Sequence, residues 1–295
     1  MTRDHRAGSF ESTEWVLLTG IALMWGSSYL FIEEGLEAFR PGLITVLRLG
    51  LGALTLVFFA RARTPIQRSD YSAITLLAIF WMAGPFLLFP IAQQWIDSSL
   101  AGMISGGVPV FAALVASVVW KRVPTRAQIF GFVLGFAGVV AVSWPAVRNA
   151  RSTALGVILV LIATASYGLA VNIAEPLQRK YGSLPVLLRA QFVALAITVI
   201  PGALAIPESS FEWPSLGAMV PLGCLGTALA FVAMANLVGR VGAARASLAL
   251  YFIPIVAVVL GVLLRDETVH PISLVGTALV IAGAVLASRA GRLRA

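Results

Sequence analysis
Residues 99–114 read SLAGMISGGVPVFAAL and residues 244–259 read ARASLALYFIPIVAVV. The match continues without a gap from Ser99 to Ser143 against Ala244 to Ser288, at a constant offset of 145. It pairs Pro109 with Pro254, Gly131 with Gly276, Gly138 with Gly283 and Ser143 with Ser288. Upstream, Trp25-Gly26 meets Tyr167-Gly168 at an offset of 142, and Arg48 in ITVLRL meets Arg189 in PVLLRA at 141. The chain is written twice, once in residues 15–144 and once in residues 154–288, with a joining loop expected at 145–153.

Ten strongly apolar stretches fill nearly all of the 295 residues, five in each copy. They lie at about 15–32, 42–60, 71–91, 99–119, 127–144, 154–174, 184–205, 215–236, 244–264 and 270–288. Each has the roughly 17–25 residues that a helix needs to cross a bilayer core. Hydrophobic residues make up 59% of the chain and charged residues 12%, with a mean hydropathy of +0.93. A water-soluble surface would need roughly twice that charge. The fold expected is all-α, a polytopic membrane protein of ten transmembrane helices. No small-residue cleavage site closes the first apolar run, so it is expected to stay as the first span.

The net charge of +8 does not form the single basic patch of a nucleic-acid binder. It follows the loops. With the N-terminus in the cytoplasm, that side holds Arg3, Arg6, Arg61, Arg63, Arg68, Lys121, Arg122, Arg126, Arg179, Lys180, Arg240, Arg245, Arg289, Arg292 and Arg294. The other side holds only Arg40, Arg148, Arg151 and Arg265, together with most of the acids. Such a bias over short loops places both tails, residues 1–14 and 289–295, in the cytoplasm.

Five spans per copy is an odd number, so the second copy enters the membrane from the opposite side. Inverted repeats of this kind are common in secondary transporters, where each half can adopt the other's conformation and open a central site to either side in turn. The glycine ladder Gly131, Gly135 and Gly138, with Gly276 and Gly283, would let helices approach closely. Pro109 and Pro254 are expected to interrupt their helices at the same depth, as hinges or beside a cavity.

A transport site needs a cavity and a few polar groups that replace the hydration of the solute. Polar and aromatic residues deep in the spans are therefore informative, because facing lipid is costly for them. The first span offers Trp25, Ser28 and Tyr29, and its counterpart offers Tyr167 and Asn172. The third offers Trp81, whose competing reading is lipid or helix packing; the fourth offers Met103 and Ser105 beside Pro109; the ninth offers Ser247 and Tyr251 below Pro254. Gln93 and Gln94 fall near a boundary and read as vestibule or interface residues. Arg48 and Arg189 are basic residues within spans, either snorkelling to headgroups or facing inward to pair with helix-end carbonyls or an acid. A carboxylate-binding role for Arg48 is a further reading. Arg48, Arg189, Pro109 and Pro254 are the gating or structural candidates.

An aromatic-Gly pair in the first helix of each copy, an arginine in the second, and a proline followed by a Gly-rich last helix together resemble the EamA repeat of the drug/metabolite transporter superfamily. Residues 22–29, ALMWGSSY, look like that family's opening helix, and VPVF at 108–111 with FIPI at 252–255 look like its paired fourth and ninth helices. The likeness covers residues 15–288. It implies a bacterial inner-membrane exporter of amino acids, metabolites or drugs, with ten helices around a central cavity. YddG-type amino-acid exporters look closest, which implies neutral or aromatic amino acids as solutes, with a broad drug or metabolite exporter as the rival. Family copies often carry an acid after the fourth helix; Glu267 matches, whereas Arg122 stands there in the first copy, which implies unequal gates.

Other classes fit less well. His5 and His270 sit in a tail and a loop, Cys224 is a lone thiol in an apolar run, and nothing forms a metal cluster or an enzyme site. No glycine-rich phosphate loop suggests an ATP-driven pump. No cofactor is implied; the partners are membrane lipids and a small organic solute, with no nucleic acid. A monomer suffices, because one chain holds both halves.

Overall fold
The structure, a computed structural model, describes residues 10–119, 121, 123–149 and 151–290. The expectation for Arg122 and most of both tails lie outside these residues. Ten apolar helical spans follow in order: α1 (Ser12–Leu36), α2 (Pro41–Val57), α3 (Arg68–Ala92), α4 (Ser98–Val119), α5 (Arg126–Pro145), α6 (Thr153–Tyr181), α7 (Ser183–Glu208), α8 (Trp213–Val241), α9 (Leu248–Arg265) and α10 (Pro271–Ala287). Eight are long enough to cross a bilayer by themselves, and α2 and α10 are shorter. The protein is an all-helical polytopic membrane protein built as two five-helix copies.

Local chemistry sets the ends. Glu11 and Glu14 form a reciprocal capping box at the start of α1, and a proline in the first turn opens α2. The tight turns between α6 and α7 and before α9 pass through Gly182 at φ 82° and Gly242 at φ 79°, a backbone region that side-chain-bearing residues avoid. The segment expected as a loop at 145–153 is mostly helical instead. Helices Arg126–Asn149 and Arg151–Tyr181 run into it from both sides. Pro145 lies within the first of these, where it removes the bond its missing N–H would make.

The packing is between copies rather than within them. Helix α1 lies on α8 and α9, α6 lies on α3 and α4, α2 lies on α7, and α5 lies on α10. Small residues permit this. A Cβ on Gly26 would stand 2.5 Å from that of Val256 on α9, while a Cβ on Gly168 would stand 2.7 Å from the Phe111 carbonyl carbon on α4. Phe111 and Val256 are themselves equivalent at the offset of 145. The glycine of each aromatic-Gly pair is therefore the point where a first helix crosses the other copy's fourth. On α5 and α10, a Cβ on Gly138 would meet the Gly276 carbonyl at 2.6 Å and one on Gly131 would meet the Gly283 carbonyl at 2.8 Å. The two contacts exchange under the repeat, as a two-fold interface requires.

Both third helices contain a π-helical stretch, at Ile79–Ala83 in α3 and Pro221–Leu229 in α8. The two begin at an offset of 142 and include no feature that hydropathy would reveal. Further along α3, Pro90 cannot donate to the Phe86 carbonyl four residues back, and the Thr45 hydroxyl of α2 lies 2.9 Å from that oxygen instead. The expected pair of proline breaks is only half present. Helix α4 is interrupted at Gly106–Gly107, just before Pro109, but α9 runs unbroken through Pro254. Gly106 makes room for that proline: a Cβ there would stand 2.7 Å from the Pro254 ring.

Replacing glycine by alanine in an open helix position should be neutral or stabilising by up to about 1 kcal/mol, through helix propensity. At Gly138 or Gly168 the backbone of a neighbour blocks the new methyl, and overpacking costs about 1–3 kcal/mol. Thermal unfolding in detergent should therefore show Gly138→Ala and Gly168→Ala melting below the parent. Gly20→Ala, with nothing within 4 Å of its Cβ position, should melt at or above it.

Candidate functional site
Helices α1, α3, α6 and α8 bring aromatic side chains together inside the bundle. The Trp25 indole N–H donates to the Gly226 carbonyl at 3.1 Å, within the π-helical stretch of α8. Phe231 meets both Trp25 and Trp81 edge-on, with centroids 5.1 Å and 5.3 Å away. One turn along α1, Tyr29 meets Phe89 edge-on at 5.4 Å, and Phe89 stacks on Tyr167 at 5.9 Å. The Tyr29 hydroxyl donates to Ser105 Oγ at 2.6 Å, and Ser105 donates on to the Gly102 carbonyl. Buried Met103 belongs to the same apolar cluster as Tyr29 and Phe89.

Arg48 lies among these rings. Its side chain is 6% exposed, which excludes the snorkelling reading. The guanidinium sits 3.7 Å from the centroid of Phe86, and Nε donates to Thr227 Oγ1 at 2.8 Å. Thr227 in turn donates to the Leu222 carbonyl five residues back, the reach of the π turn. Among the described residues no carboxylate pairs with Arg48, and its hydrogen bond is the one from Nε to Thr227.

Arg189, the repeat counterpart, does something else. It donates to the carbonyls of Ala62, Arg63 and Thr64 at 2.9–3.1 Å, tying α7 to the turn between α2 and α3. The difference has a local cause: the residue at the Thr227 position of the first copy is Pro85, which has no hydroxyl to receive a guanidinium.

The other sequence candidates fall around the ring cluster. Ser28 bonds to the Met24 carbonyl and lies against Gly226. Asn172 donates to the carbonyls of Ala112 on α4 and Gly168 on its own helix, bracing the α4–α6 crossing. Tyr251 is buried with Val110 and Ala284, and its hydroxyl donates to the Ala284 carbonyl of α10 at 3.4 Å. Ser247 stands at the start of α9. Phe86, Phe89, Thr227 and Phe231 carry no signal in the sequence beyond apolar character or a lone hydroxyl. Gln93 stands at the end of α3, the boundary expected for it, and is buried there, donating to the Tyr29 carbonyl at 2.9 Å. Gln191 is wholly buried beside Gly52 and Thr227, with neither amide atom partnered among the described residues.

Beyond the rings, the end of the bundle where α1 finishes is tied by charge. Arg265 reaches Glu33, Glu34 and Glu37 at 3.5, 3.4 and 2.6 Å. Glu267 caps α4, accepting from the Ser98 and Ser99 N–H groups at 3.0 and 2.9 Å and from the Ser98 hydroxyl. Burial holds the nearby Asp97 carboxyl above the usual carboxylate range, and the negative Glu267 adds to the effect. At the opposite end, Lys180 of α6 pairs with Asp70 at 2.8 Å, and Tyr181 also donates to Asp70.

Comparison with known proteins agrees with this architecture. A transporter of Bacillus subtilis named "Uncharacterized transporter YdfC" is 26% identical over 270 residues, covering 88% of this chain and 86% of its own. A protein of Streptantibioticus cattleyicolor named "Probable terminal-alkyne amino-acid exporter" is 28% identical over 280 residues, 93% of each chain. One solved crystal structure superposes with a TM-score of 0.65 at 17% identity, covering 96% of this chain and 99% of its own, and so shares the fold. The sequence profile of the EamA-like transporter family matches residues 13–144 and 154–289, one match per repeat. The chain belongs to the EamA-like transporter family.

Proposed function
We propose that this secondary transporter exports neutral or aromatic amino acids by alternating access, and that Arg48 receives the solute carboxylate. The observation that carries the reading is the buried Arg48 guanidinium with one hydrogen bond and no acid beside it among the described residues. A charge removed from water needs a counter-ion. A carboxylate meeting the Nη atoms bidentately is the geometry that arginine favours. Around it, Trp25, Trp81, Tyr29, Phe89, Tyr167 and Phe231 offer apolar and aromatic surface for a side chain. The relative named as an amino-acid exporter supports the same class, in the manner of YddG-type exporters.

Trp25, Tyr29, Trp81, Met103, Ser105 and Tyr167 surround the solute in this proposal, with Tyr251, Asn172, Ser28 and Ser247 shaping the helices behind them. Transport is by a carrier and not an enzyme, as the family establishes. The orientation proposed has both termini in the cytoplasm and the chain in the bacterial inner membrane, on the Lys and Arg bias of the loops.

Counterflow in proteoliposomes tests the substrate class. Preloaded neutral or aromatic amino acids should accelerate uptake of a labelled one, and their methyl esters, which lack the charge, should not. Arg48→Gln should weaken binding by roughly 30-fold or more, the equivalent of about 2 kcal/mol for a buried charged partner. A broad drug exporter would instead transport lipophilic cations and be indifferent to both changes.

The topology has its own check. A protease site appended at either terminus should be cut in inside-out vesicles and protected in right-side-out vesicles. Cleavage in right-side-out vesicles alone would reverse the proposed orientation.

A further inference from the structure
The two copies place equivalent glutamates in unlike surroundings. Glu33 on α1 and Glu175 on α6 correspond at the offset of 142. Glu33 is 25% exposed; it pairs with Arg265 of the second copy, and it accepts from the Ser98 N–H at 3.2 Å. Glu175 is 52% exposed and, among the described residues, pairs only along its own helix, with Arg179 at 2.6 Å. Inverted repeats that exchange conformations predict that such a difference marks the state of the carrier, with one end shut and the other not.

We propose that Arg265 and Glu267 form a latch across the repeats that holds the Glu33 end of the bundle shut, and that it must part for the solute site to open there. The inference rests on the alternating-access reading above. Arg265 ends α9 and Glu267 lies in the turn that leads to α10, whereas everything they hold belongs to the first copy. Arg265 gathers the last turn of α1 through Glu33, Glu34 and Glu37. Glu267 turns back over α9 into space that Gly261 leaves free, and its carboxylate caps the first turn of α4. Asp266 makes the turn possible by taking a left-handed backbone at φ 52°.

The strength of these contacts suits a gate. The charged groups are partly exposed, so each is weak and screened by salt, and the latch acts through their number. Ser99, 2% exposed, lies directly under Glu267 and becomes reachable when the turn lifts. The Tyr29–Ser105 bond lies deeper along the same two helices, so lifting the turn uncovers the route to the rings.

The test uses the full chain with Cys224→Ser, which removes the single native thiol, and Ser99→Cys as reporter. That replacement leaves intact the backbone N–H that Glu267 accepts. A polar maleimide should label the reporter slowly. Adding Arg265→Gln should accelerate labelling by roughly fivefold or more, and Arg265→Lys, which keeps the charge, should return it towards the slow rate. In a second pair, Glu37→Cys with Arg265→Cys should cross-link on oxidation and stop counterflow, with reductant restoring it. Labelling unchanged by Arg265→Gln, or full exchange by the cross-linked protein, overturns the latch. Accelerated labelling in a protein that exchanges none of the amino acids tested upholds the latch and overturns the substrate assignment.

Discussion
Lipid offers apolar helices no hydrophobic reason to associate, so this protein depends on backbones brought close enough for dispersion and weak polar contacts to act. The crossings of α1 with α9, α6 with α4 and α5 with α10 all occur where a missing Cβ permits that approach. Every other feature is hung from these points. The aromatic residue of each aromatic-Gly pair is aimed by the glycine next to it, which sets Trp25 against α8 and Tyr167 against Phe89. The ring cluster is thus a by-product of helix crossings that involve no ring at all.

Much of this was legible in the sequence because it is periodic or repeated. Span positions follow from hydropathy, and the inversion follows from an odd number of spans per copy. The glycine ladders announced the close packing of α5 on α10. The chemistry of the site was less legible. Arg48 and Arg189 look alike in sequence, and only the helix opposite decides their fates: Thr227 offers a hydroxyl and Pro85 does not. Gln93 is the boundary residue that hydropathy suggests, but a linear reading cannot show that α1 folds over it and buries it. The π-helical stretches shift hydrogen-bond register without changing composition, so no residue-by-residue scale detects them. Pro254 looked like a break because its partner does precede one, yet a proline in a helix needs room more than it needs an interruption, and Gly106 provides it.

The departures from symmetry gather at the polar residues. Apolar crossings repeat closely between copies, since a glycine against a backbone tolerates little variation. Polar groups are free to diverge as long as each finds a partner. One copy uses its arginine at the rings and the other uses it to hold a turn; one glutamate is gathered into a cross-repeat network and the other stays on its helix. Inversion supplies a frame with two equivalent ends, and a handful of charged side chains makes the ends different.

The interleaving of the copies bears on how such a chain is made. Because α1 rests on α8 and α9, and α5 on α10, the first five helices enter the bilayer before any of their principal neighbours exist. The Arg48 charge has no Thr227 to meet until synthesis reaches α8, Gly26 faces lipid or the insertion machinery until α9, and Gly131 and Gly138 do so until α10. The half-finished chain is accordingly the most vulnerable form of this protein. Its assembly is governed by how long those surfaces must wait, and the duplicated gene product closes on itself only when its last helix arrives.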